Sequence, residues 1–250
     1  MKTNYLKNLL LSEIKSVSEK SDDYCVSSGK DFTRHRKLSF ETVIKTTIGM
    51  ESGSLTNEII NAFNAEPNLP STSAFVQQRY KIKPEAFKAV FDGFTSRIID
   101  ANQKDIRVLA IDGSDVQIAT NPDDSSSFHP GSNGQKPYNL LHLNALFDLN
   151  QKIYTDAIIQ GRMDLNEHSA LQNMVDRSNV RKALVIADRG YESYNNMAHI
   201  QEKGWYFLIR IKDGKNGIKE GLSLPKYDEF DVDISLKLTR KQTNEIKECN

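Results

Sequence analysis

Two short apolar runs, Arg107-Val108-Leu109-Ala110-Ile111 and Ala183-Leu184-Val185-Ile186-Ala187, each end on an aspartate. Runs of this length, bounded by polar residues, read as strands buried in a sheet and are too short for helices. They constrain the fold because a helical pattern lies between them. Over residues 166–177, Leu171, Met174 and Val175 recur at helical spacing behind Asn166, a cap-type residue. Strands joined through helices pair in parallel, by right-handed crossovers. If the two runs are neighbours, Asp112 and Asp188 emerge at the same sheet edge, where ligand sites of open α/β sheets collect.

The remaining pattern fills in the architecture. Val116–Ile118, Tyr138–Phe147, Ile153–Ile159 and Trp205–Ile211 read as further strands, and a helix over 193–203 stops at Gly204. An antiparallel meander followed by crossovers predicts an α/β fold, a mixed sheet flanked by helices, which is the arrangement of an RNase H-like core over 105–212. Residues 120–137, rich in Asn, Asp, Ser, Pro and Gly, read as a long loop. Residues 1–104 read as a helical domain, with Leu6, Leu9, Leu10 and Ile14 on one stripe and Phe40, Val43, Ile44 and Ile48 on another. Residues 213–250 alternate apolar and polar positions, as in Val232 to Leu238, and predict the start of a β-rich insertion.

Composition limits the function less sharply. Hydrophobic residues make up 38% and charged residues 26% of 250, an ordinary globular balance. The formal net charge is zero, which excludes a uniformly basic nucleic-acid coat. Residues 1–110 hold 16 Lys and Arg against 13 Asp and Glu, and the rest 17 against 20, so the front is the phosphate-facing candidate. Cys25 and Cys249 show no zinc or disulfide spacing, which fits a reducing cytoplasm. No apolar run of spanning length is present, so no membrane partner is expected.

Carboxylates at a sheet edge suit hard cations such as Mg²⁺, which take oxygen ligands and complete their shell with phosphates and water. A pair of such ions about 3.5–4 Å apart stabilises attacking and leaving oxygens in phosphoryl displacement. The bland reading is that each aspartate is a turn former or helix N-cap.

The words around the aspartates go further. Ile111-Asp112-Gly113-Ser114-Asp115, Tyr138-Asn139-Leu140-Leu141-His142-Leu143-Asn144-Ala145-Leu146, Tyr154-Thr155-Asp156-Ala157 and Ala187-Asp188-Arg189-Gly190-Tyr191-Glu192-Ser193-Tyr194 occur in this order. Together, over roughly residues 30–245, they resemble the DDE-type transposases of bacterial insertion sequences, the family numbered four. The resemblance implies an RNase H-like fold and the catalytic, metal-binding roles for Asp112 and Asp188. It also implies Mg²⁺ or Mn²⁺ as cofactor, and double-stranded DNA, as terminal inverted repeats and target, as partner. A homodimer in a synaptic complex and a cytoplasmic, nucleoid-associated location follow from it. The family's third carboxylate lies in a Tyr-x2-Arg-x3-Glu-x6-Lys word that this sequence lacks, since Glu220, Glu229, Glu245 and Glu248 have the wrong neighbours. The chain is therefore expected to be truncated within the insertion, without a third ligand and inactive alone in strand transfer. The alternatives are a non-catalytic DNA-binding remnant competing for element ends, and an aspartate-nucleophile phosphatase. The second is disfavoured because two residues rather than one separate Asp112 from Asp115.

Candidate DNA contacts complete the reading. Helices at 73–80 and 84–92 resemble a helix-turn-helix, in which Gln77, Gln78 and Arg79 are groove-competent and Lys81, Lys83 and Lys88 match phosphate. Arg189 and Tyr191 beside Asp188, and Lys136 in the long loop, are further candidates, with packing or solvated charge as the alternative. The Arg34-His35-Arg36-Lys37 stretch reads the same two ways. His142 is expected to be a satisfied sheet residue, Asp115 an exposed strand-start residue, Asp148 a turn residue, and His168 solvent-facing.

Overall fold

The computed structural model describes residues 3–100, 106–132, 134–212, 217–219, 222–227 and 229–234. The chain divides into two compact units, Met1–Ile98 and Ile99–Asn250. Sequence reading put this boundary at 104/105, and residues 101–105 lie outside the described set.

The first unit is helical: α1 Thr3–Ser18, α2 Ser21–Tyr24, α3 Phe40–Ile48, α4 Leu55–Ala62, α5 Thr72–Arg79 and α6, which begins at Glu85 and runs to Asp100. Serines set its helix starts. The side chains of Ser39, Ser54 and Ser71 accept from the amides of Thr42, Asn57 and Ala74, each cap contributing about 1 kcal/mol. The predicted stripes supply part of the core: Leu9, Ile14, Phe40, Val43 and Ile44 are buried and are joined by Phe75 and Val90, whereas Leu6 and Leu10 are half-buried and Ile48 is exposed.

The second unit is a mixed six-stranded sheet in the order β2-β3-β1-β5-β6, with β4 also on β3. The strands are β1 Arg107–Ile118, β2 Phe128–His129, β3 Tyr138–Asp148, β4 Ile153–Gln160, β5 Ala183–Ala187 and β6 Tyr206–Ile209. β3 runs antiparallel to β1, β2 and β4, while β1, β5 and β6 are parallel. The crossovers are α7 Glu167–Arg177 and α8 Tyr194–Glu202. Asn166 caps α7 through the Ser169 amide, and Ser193 caps α8. Ala170, Leu171, Met174 and Val175 of α7 pack with Leu109, Ile111, Leu146, Val185 and Ile200, all nearly solvent-free. With helices packed on the sheet and a helical part before it, this is the predicted α/β, RNase H-like architecture.

Several of these expectations change. Val116–Ile118 is not a separate strand, because β1 continues unbroken through Asp112 and Gly113 to Ile118. β3 supplies the reason: it pairs with β1 from Leu109 to Ile118, so the polar stretch has a full ladder without a buried face. The 120–137 loop is more ordered than its composition suggested. Its two-residue β2 joins β3, and buried Asn139 donates to the Asn121 carbonyl and the Ser127 hydroxyl. Asp148 does serve its turn, accepting from the amides of Asn150 and Gln151, yet it is also fully buried against Arg107. Of the predicted β-rich segment, residues 217–219, 222–227 and 229–234 carry no strand, and the rest lies outside the described residues.

Candidate active site

β1 outruns its parallel neighbour. β5 pairs with it only from Arg107–Ala183 to Ala110–Ile186. Two residues further along that register, Asp112 stands level with Asp188. Adjacent strands lie about 4.8 Å apart, so the backbone delivers both aspartates to one edge, as parallel pairing demands. Asp112 stays within β1, exposed where the parallel ladder stops. Asp188 leaves β5 and caps the 3-10 turn Arg189–Tyr191.

Both carboxylates are half-engaged. Asp112 Oδ1 accepts from the Gly113 amide at 2.9 Å, and Asp188 Oδ1 from the Gly190 amide at 2.7 Å. Among the described residues no Lys or Arg pairs with either, and neither Oδ2 has a hydrogen-bond partner. The N-cap reading of Asp188 is thus correct as far as it goes, and it leaves one oxygen over.

A third carboxylate sits beside them. Glu167, the first residue of α7, approaches β1 at Gly113, next to Asp112, and the turn that follows Asp188 at Gly190. A methyl group on Gly113 would meet Glu167 Oε1 and His142 Nε2, each at 2.6 Å, and one on Gly190 would meet Glu167 Oε2 at 3.7 Å. Glycine at 113 is what lets Glu167 and His142 approach β1 so closely. Tyr191 reports the shared field. Burial first, then the negative charges of Glu167, Asp112 and Asp188, push its hydroxyl well above the ordinary phenol range. It lies 3.5 Å from Asn144 Oδ1, and Asn144 stands opposite Gly113 on β3. A phenol held protonated this firmly is a donor, not a nucleophile.

His142 is not the satisfied residue expected. Its Nδ1 lies 2.8 Å from Asp115 Oδ1, its register partner across β1 and β3. Its Nε2 is buried without a hydrogen bond, although Glu167 Oε1 is 3.0 Å away, because that approach is close but not directed as a bond. Asp115 is exposed, as expected, yet engaged. His168 is half-buried and bonded to Asn196 at 2.8 Å, not solvent-facing. Glu167 itself was missed, since an acidic residue in a first helical turn is ordinary. Its only sequence signal was its place directly after the Asn166 cap.

The donor set is all oxygen at the two aspartates, with backbone amides fixing one oxygen of each. That suits a hard divalent ion that keeps water and phosphate in its shell. No three His, Cys, Asp or Glu side chains form a ready-made metal cage among the described residues.

The predicted DNA contacts are scattered by unit. In the first, Gln77 is exposed, while Gln78 and Arg79 are half-buried. Lys81 reaches Gln78 at 3.3 Å and Asp31 at 3.8 Å, Lys83 donates to the Asp23 carbonyl, and Lys88 pairs with Asp92. In the second, Arg189 and Lys136 are exposed. Tyr191 is 2% exposed and faces the core, so a DNA contact there is at odds with its burial. Among the described residues no helix is long and apolar enough to cross a membrane.

No sequence among curated proteins matches this chain. The family described as the transposase DDE domain does, over residues 103–248, a span that takes in every strand and both crossover helices. By that match over more than half its length, the chain belongs to the DDE transposases.

Proposed function

We propose that Asp112 and Asp188 hold a divalent cation, Mg²⁺ or Mn²⁺, for cleavage and joining of DNA at the ends of a bacterial insertion sequence of the branch numbered four. The observation that carries this reading is the register that sets the two aspartates level on adjacent parallel strands, each with one carboxylate oxygen unspent. When bound, the cation supplies charge stabilisation at the phosphate being displaced. The protein's own part is positional. The Gly113 and Gly190 amides fix one oxygen of each aspartate and leave the other free of hydrogen bonds among the described residues. Tyr191, pushed toward its protonated form by burial and by the surrounding carboxylates, donates toward Asn144, and attack by water or a DNA hydroxyl is the reading that the family supports. Exposed Arg189 and Lys136 on the sheet unit, and Gln77 with Arg79 on the helical unit, supply contacts to double-stranded DNA. Two copies acting on paired ends complete the arrangement.

Two protein carboxylates leave most of a cation's shell to water and phosphate, so DNA and Mn²⁺ should bind cooperatively. The test titrates Mn²⁺ into the chain with and without a duplex carrying the element's inverted repeat, following free Mn²⁺ by electron paramagnetic resonance. The expected result is tighter Mn²⁺ binding in the presence of the duplex, abolished in Asp112→Asn and in Asp188→Asn. Equal Mn²⁺ affinity in wild type and both variants would remove the pair from the chemistry.

A further inference from the structure

We propose that Glu167, backed by His142, is a positioning residue for this cation site, acting as an outer acceptor for the water on the ion. The inference rests on the Asp112–Asp188 reading and extends it to a carboxylate from another element.

Three observations converge. Glu167 approaches the strand at Asp112 and the turn after Asp188, with Oε1 crowding Gly113 and Oε2 lying toward Gly190. Those glycines donate the amides that fix Asp112 and Asp188. Glu167 also acts on the Tyr191 hydroxyl together with both aspartates, so all three carboxylates lie within electrostatic range of one buried group. Third, His142 is 8% exposed and presents an unbonded Nε2 to this space, while Asp115 holds its Nδ1. A buried ring nitrogen without a partner is costly. It is accounted for if Glu167 Oε1, now 3.0 Å away and misdirected, turns into line when the cation's water shell engages Oε2. No Lys or Arg neutralises Glu167 among the described residues. A carboxylate left uncompensated next to two others costs stability by repulsion, and a cation relieves that repulsion.

A carboxylate–imidazole–carboxylate line from Asp115 through His142 to Glu167 is the kind of outer support that orients groups at metal sites. Removing such partners costs about 10–100-fold in metal affinity or activity.

The experiment measures Mn²⁺ affinity of the whole chain by electron paramagnetic resonance, together with the thermal midpoint of the metal-free protein. The variants are Glu167→Gln, Asp112→Asn, Asp188→Asn and Asn166→Ala. The last removes the α7 cap without touching any carboxylate, so it loosens the helix start alone. Expected is a loss of about tenfold or more in Mn²⁺ affinity for Glu167→Gln, with the thermal midpoint kept or raised. Asn166→Ala should lower the midpoint and cost less Mn²⁺ affinity than Glu167→Gln, because it loosens the turn that holds Glu167 but keeps its carboxylate. Unchanged affinity in Glu167→Gln, with loss in the aspartate variants, overturns this inference and leaves the aspartate pair standing. Parallel affinity losses in Glu167→Gln and Asn166→Ala also overturn it, by making the effect one of helix placement. Wild-type affinity in Asp112→Asn and Asp188→Asn defeats the pair and this inference together.

Discussion

The two ends of the parallel ladder on β1 carry acids in opposite conditions. At one end Arg107, 5% exposed, meets Asp148, fully buried, across the sheet, and its other guanidinium nitrogen donates to the Ile99 carbonyl at 3.0 Å. Asp148 spends its second oxygen on two turn amides. The two charges there match, and each Asp148 oxygen has a donor. Five residues along the same strand, Asp112 has one amide and no cation, and Asp188 and Glu167 join it without an Arg or Lys among the described residues. Acidity therefore does not distinguish a functional carboxylate from a structural one. The distinction lies in whether the protein supplies the counter-charge itself.

Breaking the closed end should produce the largest effect. Arg107→Met strips the counter-charge from Asp148 inside the core while keeping bulk. Removing one partner of a buried pair costs about 3–5 kcal/mol, because the other charge stays buried and uncompensated. Urea denaturation should show that loss as a lower midpoint at unchanged slope. A cost below about 1 kcal/mol, the value of an exposed pair, would show that Asp148 finds other compensation and would erase the contrast between the two ends.

The sequence revealed the parts governed by local pattern. β5 was read at its observed limits, Ala183–Ala187, because a central strand with one face buried and the other half-buried is apolar throughout. α7 and α8 were legible from spacing and their cap residues. The second half of β1 was not, because residues 112–118 pair on one edge with β3 and bury little, so no apolar alternation marks them. The site was legible only in its two aspartates. His142 meets Asp115 through register, and Glu167 meets Gly113 through the docking of α7 on the sheet. Neither relation leaves a signal in local sequence. Pairing the His142-x-Asn144 alternation against Gly113-x-Asp115 would have found the first. Tyr191 misled because its neighbours Asp188 and Arg189 are exposed, whereas the 3-10 turn rotates the ring into the core.

A smaller change sharpens the comparison at the open end. In Gly113→Ala the new methyl would lie 2.6 Å from both Glu167 Oε1 and His142 Nε2, so one of them must move. Glu167 is a flexible chain and swings easily, while the His142 ring is enclosed and tied to Asp115. Stability should fall by about 1 kcal/mol, the low end for overpacking. Mn²⁺ affinity should fall about as far as in Glu167→Gln, although no carboxylate has been removed. Full retention of Mn²⁺ affinity, by the same resonance titration, would show that the position of Glu167 over β1 is immaterial.

The smallest effect concerns an acid of a third kind. Asp124 has no Arg partner, and the hydroxyls of Ser126 and Ser127 hold its carboxyl below the usual aspartate range. The folded value is depressed, so its contribution is present above the unfolded aspartate value, near pH 3.9, and is lost as pH falls through the folded value. The group is half-exposed at the surface, so the consequence should be local: loosening of the 121–129 segment that docks on Asn139. Following the Asp124 carboxyl carbon by NMR through an acid titration should place its midpoint below that of an unstructured aspartate, with the Ser126 and Ser127 amides shifting in step. A midpoint at the ordinary value would mean that hydroxyl donors alone do not hold a carboxylate ionised here. The single amide on Asp112 and on Asp188 would then be a weak anchor too, and the charge balance at the open end would rest on the cation to a greater degree.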